Sequence, residues 1–295
     1  MNSSLNVLII IFISGLIHVS WNARYKSTRN PEQLFIGSRI FNSIYLLPLF
    51  LIFYKPINIE DLIYLLGTTI THFFYFYFLI AMYKNEEFSK VYPLSRGLGN
   101  LLTPIFGISL INELVSKLSI VGILINLSGL ILLNINNFSN LKPNLFINNK
   151  IFTNPGVNYS ILTGLMVTSY SLIDKLGVTN INPIVYFYIY SNFGVFFIFN
   201  LKFLINKENI YKGLLTKSKI KEYAIVGISD STSYLLILYS LTFVEVSYIA
   251  PMRNIGIVFS FIIGYLFLNE RLRINRIIGC LLIFSGIMIT GIGIK

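Results

Sequence analysis

Ten stretches of this 295-residue chain are apolar over roughly 17 to 25 residues, the length a helix needs to cross about 30 Å of hydrocarbon. They fall at about 5–23, 33–53, 61–83, 88–111, 117–136, 156–176, 183–205, 222–243, 246–268 and 275–293. Continuous apolar runs of this kind are unlike the ten-residue alternating pattern of a membrane β-barrel. With 12% charged residues and a mean hydropathy of +0.71, the chain cannot clothe a soluble body of this size. The expected fold is an all-α integral membrane protein of ten transmembrane helices. The first run has no basic residue before it and no small-residue cleavage site before His18, Trp21 and Arg24, so it reads as a retained span.

The formal charge of +11 would suggest nucleic acid only if basic residues clustered on a soluble face. Here they occupy short loops, where positive charge records orientation in a bilayer. One side collects sixteen Lys and Arg residues, among them Arg24, Lys26, Arg29, Lys84, Lys217, Arg271 and Arg276, while the other holds Lys55, Lys117, Lys175 and Lys295. That bias predicts odd-numbered loops in the cytoplasm and both termini outside a cell membrane. The single Cys280 cannot form an intramolecular disulfide and reads as a small packing residue. No spacing resembles a metal site or a Ser-His-Asp system, and no cofactor is implied.

The second half of the chain repeats the first. Arg96, Gly99, Gly107, Asn112, Glu113, Gly122 and Gly129 recur 157 residues later as Arg253, Gly256, Gly264, Asn269, Glu270, Gly279 and Gly286. Gly15, Leu16, Ser20 and Lys26 recur 149 residues on as Gly164, Leu165, Ser169 and Lys175. The expected units are 1–136 and 156–295, joined by an Asn-rich stretch at 137–155. Each holds five spans, and five is odd, so the second copy should enter the membrane upside down. Inverted repeats of this kind are a known architecture of secondary transporters, with substrate bound near the midplane between halves. The glycines fit close helix packing. The arginines need another reason.

Arg96 lies about eight residues into the fourth run and Arg253 about seven into the ninth, on the order of 10–12 Å below the membrane face at roughly 1.5 Å per residue. An arginine at a helix centre costs about 2.5–3.5 kcal/mol on insertion scales, so it faces a polar cavity or a partner. Two readings stand: an anion-binding pair, or structural arginines held by carboxylates or helix carbonyls. Pro93 and Pro251, just before them, free a carbonyl one turn back and permit a helix break. Asp230 reads as the only carboxylate well inside an apolar run, a counter-ion or a proton carrier. His18 and Trp21 lie one turn apart on the first helix, and His72 in the third run is either a satisfied hydrogen-bonding residue or a proton carrier. Glu113 and Glu270 precede the fifth and tenth helices, where an acidic group favours the positive helix end.

The ten-span duplication, the run Val91-Tyr92-Pro93-Leu94-Ser95-Arg96-Gly97 and the turn Asn269-Glu270-Arg271-Leu272 leading to Gly279 and Gly286 resemble the EamA family of the drug/metabolite transporter superfamily. His18-Val19-Ser20-Trp21-Asn22 resembles one bacterial branch of it. The resemblance implies a secondary carrier or exporter of small metabolites. In related sugar-phosphate and nucleotide-sugar carriers, basic residues on the fourth and ninth helices meet the substrate phosphate, which would assign anion contact to Arg96 and Arg253. Two departures stand out. Glu113 is followed by Leu-Val and not by a basic residue, and Tyr170-Ser171 replaces Trp-Asn in the second copy, so a symmetric site is not expected.

The leading expectation is a carrier moving a small polar metabolite, an anion if the arginines bind it, by alternating access. Its cavity would be lined by Trp21, Tyr92, Arg96, Asp230 and Arg253, with His18 nearby. With no Gly-rich loop ending in Gly-Lys-Ser/Thr, the energy would come from gradients or exchange. The alternative is a membrane-embedded flippase or enzyme acting on a phosphate-bearing lipid head group, and a non-transporting sensor is a third. An enzyme needs clustered acid, base or nucleophile groups, and the His and Asp residues here are scattered. The partners implied are a small-molecule substrate and the lipid bilayer; the oligomeric state is not encoded in any recognisable motif.

Overall fold

The computed structural model describes residues 3–134, 154–197, 199–200, 216–268 and 274–294. Among these residues the chain is all-helical, with ten helices and no strand. They are α1 (Ser3–Ser27), α2 (Pro31–Phe53), α3 (Leu62–Asn85), α4 (Phe88–Leu110), α5 (Lys117–Asn134) and α6 (Pro155–Asn180). Then come α7, which begins at Pro183–Tyr188 and widens into a π-helical stretch over Ile189–Val195, α8 (Lys217–Leu241), α9 in two pieces (Val246–Met252 and Ile255–Leu268), and α10 (Ile274–Ile292). Three helices start at an Asn-Pro pair, where proline at the first helical position gives up an N–H that has no partner there anyway. Asn154 and Asn182 add a side-chain cap, accepting from Gly156 N at 2.9 Å and Ile184 N at 3.0 Å.

Among the described residues six helices, at Leu5–Ser27, Pro31–Phe53, Ile59–Asn85, Pro155–Asn180, Lys219–Leu241 and Ile274–Ile292, are long and apolar enough to cross a membrane on their own. Of the other spans expected from hydropathy, α4 contains Arg96 and Asn100 with Pro93 and Pro104, α9 is broken, and α5 is regular but shorter. The outward surface is apolar, with Leu5, Ile9, Ile44, Leu51, Ile52, Leu66 and Leu281 exposed, while Asn22, Arg39, Asn42, Thr68, Asn100 and Asp174 are buried. That inversion of the soluble pattern is what lipid selects, because polar side chains must find partners inside the bundle.

Helix packing follows the glycines. An added Cβ at Gly122 would sit 2.8 Å from the Gly286 carbonyl, and one at Gly129 would sit 2.7 Å from that of Gly279, so α5 and α10 touch backbone to backbone. The pairings 122 with 286 and 129 with 279 run in opposite order, and these two helices are therefore antiparallel. Elsewhere α6 packs on α3 and α4, and α1 packs on α8 and α9; α2 packs on α8, and the π-helical part of α7 on α3. Each contact joins helices whose counterparts, five helices on, also touch. Lys26 donates to the Tyr83 and Glu86 carbonyls at 2.8 and 2.6 Å, closing the end of α3. Lys175 donates to those of Leu241 and Val244, both at 3.0 Å, closing the end of α8.

Glu113 takes a different role from the one its position suggests. It caps α9 and not α5: its carboxylate accepts from Val246 N at 2.8 Å, Ser247 N at 2.9 Å and the Ser247 hydroxyl at 2.5 Å. Asn112 adopts a left-handed φ of 55°, a geometry Asn tolerates better than most residues, and this turns Glu113 away from the helix that follows it. Replacing Glu113 with Ala strands two buried N–H donors and is expected to cost about 1–3 kcal/mol. A thermal melt of the detergent-purified variant checks it, and an unchanged midpoint would deny the cap any weight. Glu270, Arg271 and most of the stretch expected to join the halves lie outside the described residues.

Candidate functional site

At the centre of the bundle α1, α2, α3, α4, α6, α7 and α8 converge on a small polar cavity lined by aromatic rings. Two cations reach its wall. Arg39, on α2, is almost fully buried and donates to the Asp230 carboxylate of α8 and to the Ser191 hydroxyl of α7. Its guanidinium also lies 5.2 Å from the Phe35 ring centre and 5.0 Å from that of Phe76. The widened π-helical turn of α7 brings Tyr190 and Ser191 to the cavity, a local distortion of the kind often found at functional sites.

Arg96, on α4, has no carboxylate against it among the described residues. It donates to His18 Nε2, to the Tyr75 hydroxyl at 2.8 Å and to that of Tyr170 at 3.4 Å. All of these partners are neutral acceptors, so its charge is oriented and left uncompensated. Arg253 stands where α9 breaks, between Met252 and Ile255, with Pro251 just before it. Its guanidinium lies 5.6 Å from the centre of the Tyr234 ring, and it makes no hydrogen bond or ion pair among the described residues. By contrast α4 runs unbroken through Pro93, because a proline this near a helix start disturbs only one carbonyl.

The other expected site residues divide. Trp21, His18 and Asp230 line the cavity together with Arg96, whereas Tyr92 and Arg253 do not. Tyr92 stacks on Phe88, ring centres 4.9 Å apart, and its hydroxyl packs against Gly256. Trp21 donates to the Ser233 hydroxyl at 3.2 Å and meets His18 edge-on at 4.7 Å. His72 lines the cavity too, stacked on Tyr170 at 4.2 Å.

Two charged residues escape a reading of the runs alone. Arg39 lies six residues into the second run, nearly as deep as Arg253 in the ninth, so the same depth argument would have found it. Asp174 corrects the view that Asp230 is the only carboxylate deep in a run. Beside Lys175 it reads as the polar end of the sixth span, yet α6 continues to Asn180 and Asp174 is fully buried.

The central cavity encloses about 20 Å³, room for one water. Larger crevices open at opposite ends of α2. One, of about 300 Å³, lies by Phe53, Asp61, Asn180 and Val185; the other, of about 190 Å³, lies by Arg29, Gln33, Lys219 and Tyr223. Each is crossed by one polar contact, Asn180 to Asp61 at 2.8 Å and Lys219 to Gln33 at 2.6 Å.

A bundle of apolar helices around a charged, nearly closed centre is the frame of a polytopic membrane protein. Residues 154–292 match the EamA-like transporter family, which belongs to the drug/metabolite transporter superfamily. No curated protein matches the chain in sequence. One solved crystal structure, described simply as that of a protein, superposes with a TM-score of 0.70 over 96% of this chain and 96% of its own. At 15% identity that likeness shows the fold alone.

Proposed function

We propose that the protein is a secondary carrier that moves a small polar, anionic metabolite across the cell membrane by alternating access, with Arg96 and Arg253 as the anion contacts. The observation that carries this reading is the contrast among three arginines. Arg39 is neutralised by Asp230, while Arg96 is held only by neutral groups and Arg253 has no ion pair among the described residues. A guanidinium kept in hydrocarbon without a carboxylate is costly unless an anion visits it.

Alternating access through two inverted five-helix repeats is supported by the exchange of contacts between helices five apart, by the antiparallel α5 and α10, and by the paired roles of Lys26 and Lys175. The two crevices correspond residue by residue: 30 and 33 answer 182 and 185, and 219 answers 61. A closed centre between matched crevices is what rocking of one repeat against the other requires. The charge bias supports odd-numbered loops in the cytoplasm.

The test is counterflow in liposomes holding purified protein, with mass spectrometry following a panel of phosphorylated and carboxylate metabolites. Arg253→Gln should lower flux of the transported anion at least tenfold while protein yield and melting stay unchanged. Normal flux in that variant would remove Arg253 from the site, and no flux of any anion in the native protein would overturn the carrier reading.

A further inference from the structure

Asp174 is a carboxylate with no ion-pair partner among the described residues. Among the described residues no lysine, arginine or histidine forms an ion pair with it, and its three partners are hydroxyls. Thr68 donates to Oδ1 at 2.5 Å, Tyr186 to the same oxygen at 2.9 Å, and Tyr234 to Oδ2. The groups that face it are Thr68 and His72 from α3, Tyr186 and Tyr190 from α7, and Tyr234 from α8. Arg253 of α9 lies over the Tyr234 ring, whose hydroxyl donates to Asp174. Lys175, its neighbour in sequence, is turned to the end of α8, and Arg96 of α4 is turned to His18, Tyr75 and Tyr170. Arg39 is taken up by Asp230.

This position lies between two spaces. On one side Tyr234 and His72 belong to the wall of the central cavity. On the other, Tyr186 is itself buried, but it is the chain neighbour of Val185, which lines the 300 Å³ crevice, and it reaches the Tyr64 carbonyl at 3.4 Å. The link to the cavity is a relay with two settings. His72 Nδ1 lies 2.9 Å from the Thr68 hydroxyl and 3.0 Å from the Thr68 carbonyl. With Asp174 ionised, Thr68 donates to it and the His72 Nδ1–H rests on the carbonyl. With a proton added, Asp174 donates to the Thr68 oxygen, and Thr68 donates to a His72 that carries its hydrogen on Nε2.

We propose that Asp174 binds the transported proton of this carrier, reached from the central cavity through His72 and Thr68 and from the crevice beside Tyr186. This rests on the carrier reading and adds the coupling ion to it. The step balances as a shift along the chain: one proton arrives at His72 Nε2, the Nδ1 proton passes to Thr68, and the Thr68 proton passes to Asp174. One N–H and two O–H bonds form while one N–H and one O–H bond break, for a net uptake of one proton. A buried carboxylate can hold that proton because the same hydroxyls serve as donors to the ion and as acceptors from the acid.

The protein carries its own reporter, since Trp21 is the only tryptophan and lines the cavity. With no substrate present, the emission of the purified protein in liposomes should change with pH in a single one-proton step, and the step should be absent in Asp174→Asn. The same step in that variant would overturn the proposal. Labelling of the native protein with dicyclohexylcarbodiimide, which attacks protonated carboxyls in apolar surroundings, decides the matter even if the variant fails to fold. Label on Asp174 that declines as pH rises supports the assignment, and label absent from Asp174 at every pH sinks it. Neither measurement depends on flux, so failure here is distinct from failure of the anion site.

Discussion

Asp230→Leu should destabilise the protein by about 3–5 kcal/mol, because it leaves the Arg39 guanidinium charged and unpaired in the middle of the bundle. Arg39 is 1% exposed, and its remaining partners, the Ser191 hydroxyl and two aromatic faces, carry no negative charge. The double variant Arg39→Met with Asp230→Leu removes both charges and should recover most of that loss, since an apolar pair of similar volume commonly equals a buried ion pair in stability. Thermal melts of the native protein, the two single variants Asp230→Leu and Arg39→Met, and the double variant, all in one detergent, form the cycle that isolates the coupling. Equal stability of Asp230→Leu and the native protein would mean that the pair contributes nothing to the fold. Flux measured on the double variant asks a separate question, namely whether the charges that line the cavity are needed for transport as well.

A second large effect is expected at the crossing of α5 and α10. A methyl group at Gly286 would lie 2.6 Å from both the Asn126 nitrogen and the Gly122 carbonyl oxygen, atoms that cannot turn aside as a side chain can. Gly286→Ala should therefore force the helices apart and cost at least about 1–3 kcal/mol, the usual range for overpacking. Gly97→Ala is the control, since its added carbon meets only the Leu130 side chain, at 3.4 Å. The expected result is a marked fall in melting temperature for the first variant and little change for the second. If both melt like the native protein, the close approach of α5 and α10 is not what holds this face together. Asn126 deepens the argument, because it donates to the Pro251 carbonyl at 3.0 Å and accepts from Asn254 at 2.7 Å, so a displaced α5 would disturb the break beside Arg253 as well.

Much of the fold is legible in the runs because a bilayer imposes one rule on every residue at a given depth. The described helices start and end within a few residues of the hydropathy limits, and α4 was expected at 88–111 and runs from Phe88 to Leu110. Local rules do less well where a loop side chain serves a distant helix. Glu113 stands before α5 and caps α9, since the left-handed Asn112 redirects it, and nothing in the five residues around it says so. The site was legible in part. Arg96, His18, Trp21 and Asp230 meet around one cavity, but Tyr92 turns to Phe88, and the partner of Asp230 proved to be Arg39, a residue on a helix far away in the chain.

The amino-acid sequence by itself determined that the chain is helical and of membrane-protein character, and it holds a glycine spacing that recurs 157 residues on with an arginine in each set, because hydrophobic length and repeated spacing are properties of order along the chain. Only the tertiary structure decided which charges neutralise one another and which stand alone. Among the described residues Arg39 found Asp230, Arg96 found neutral rings and hydroxyls, and Asp174 found three hydroxyls and no ion-pair partner. Charge pairing is a short-range matter of distance in a medium of low dielectric, and distances between helices are set by how their faces pack, not by their order.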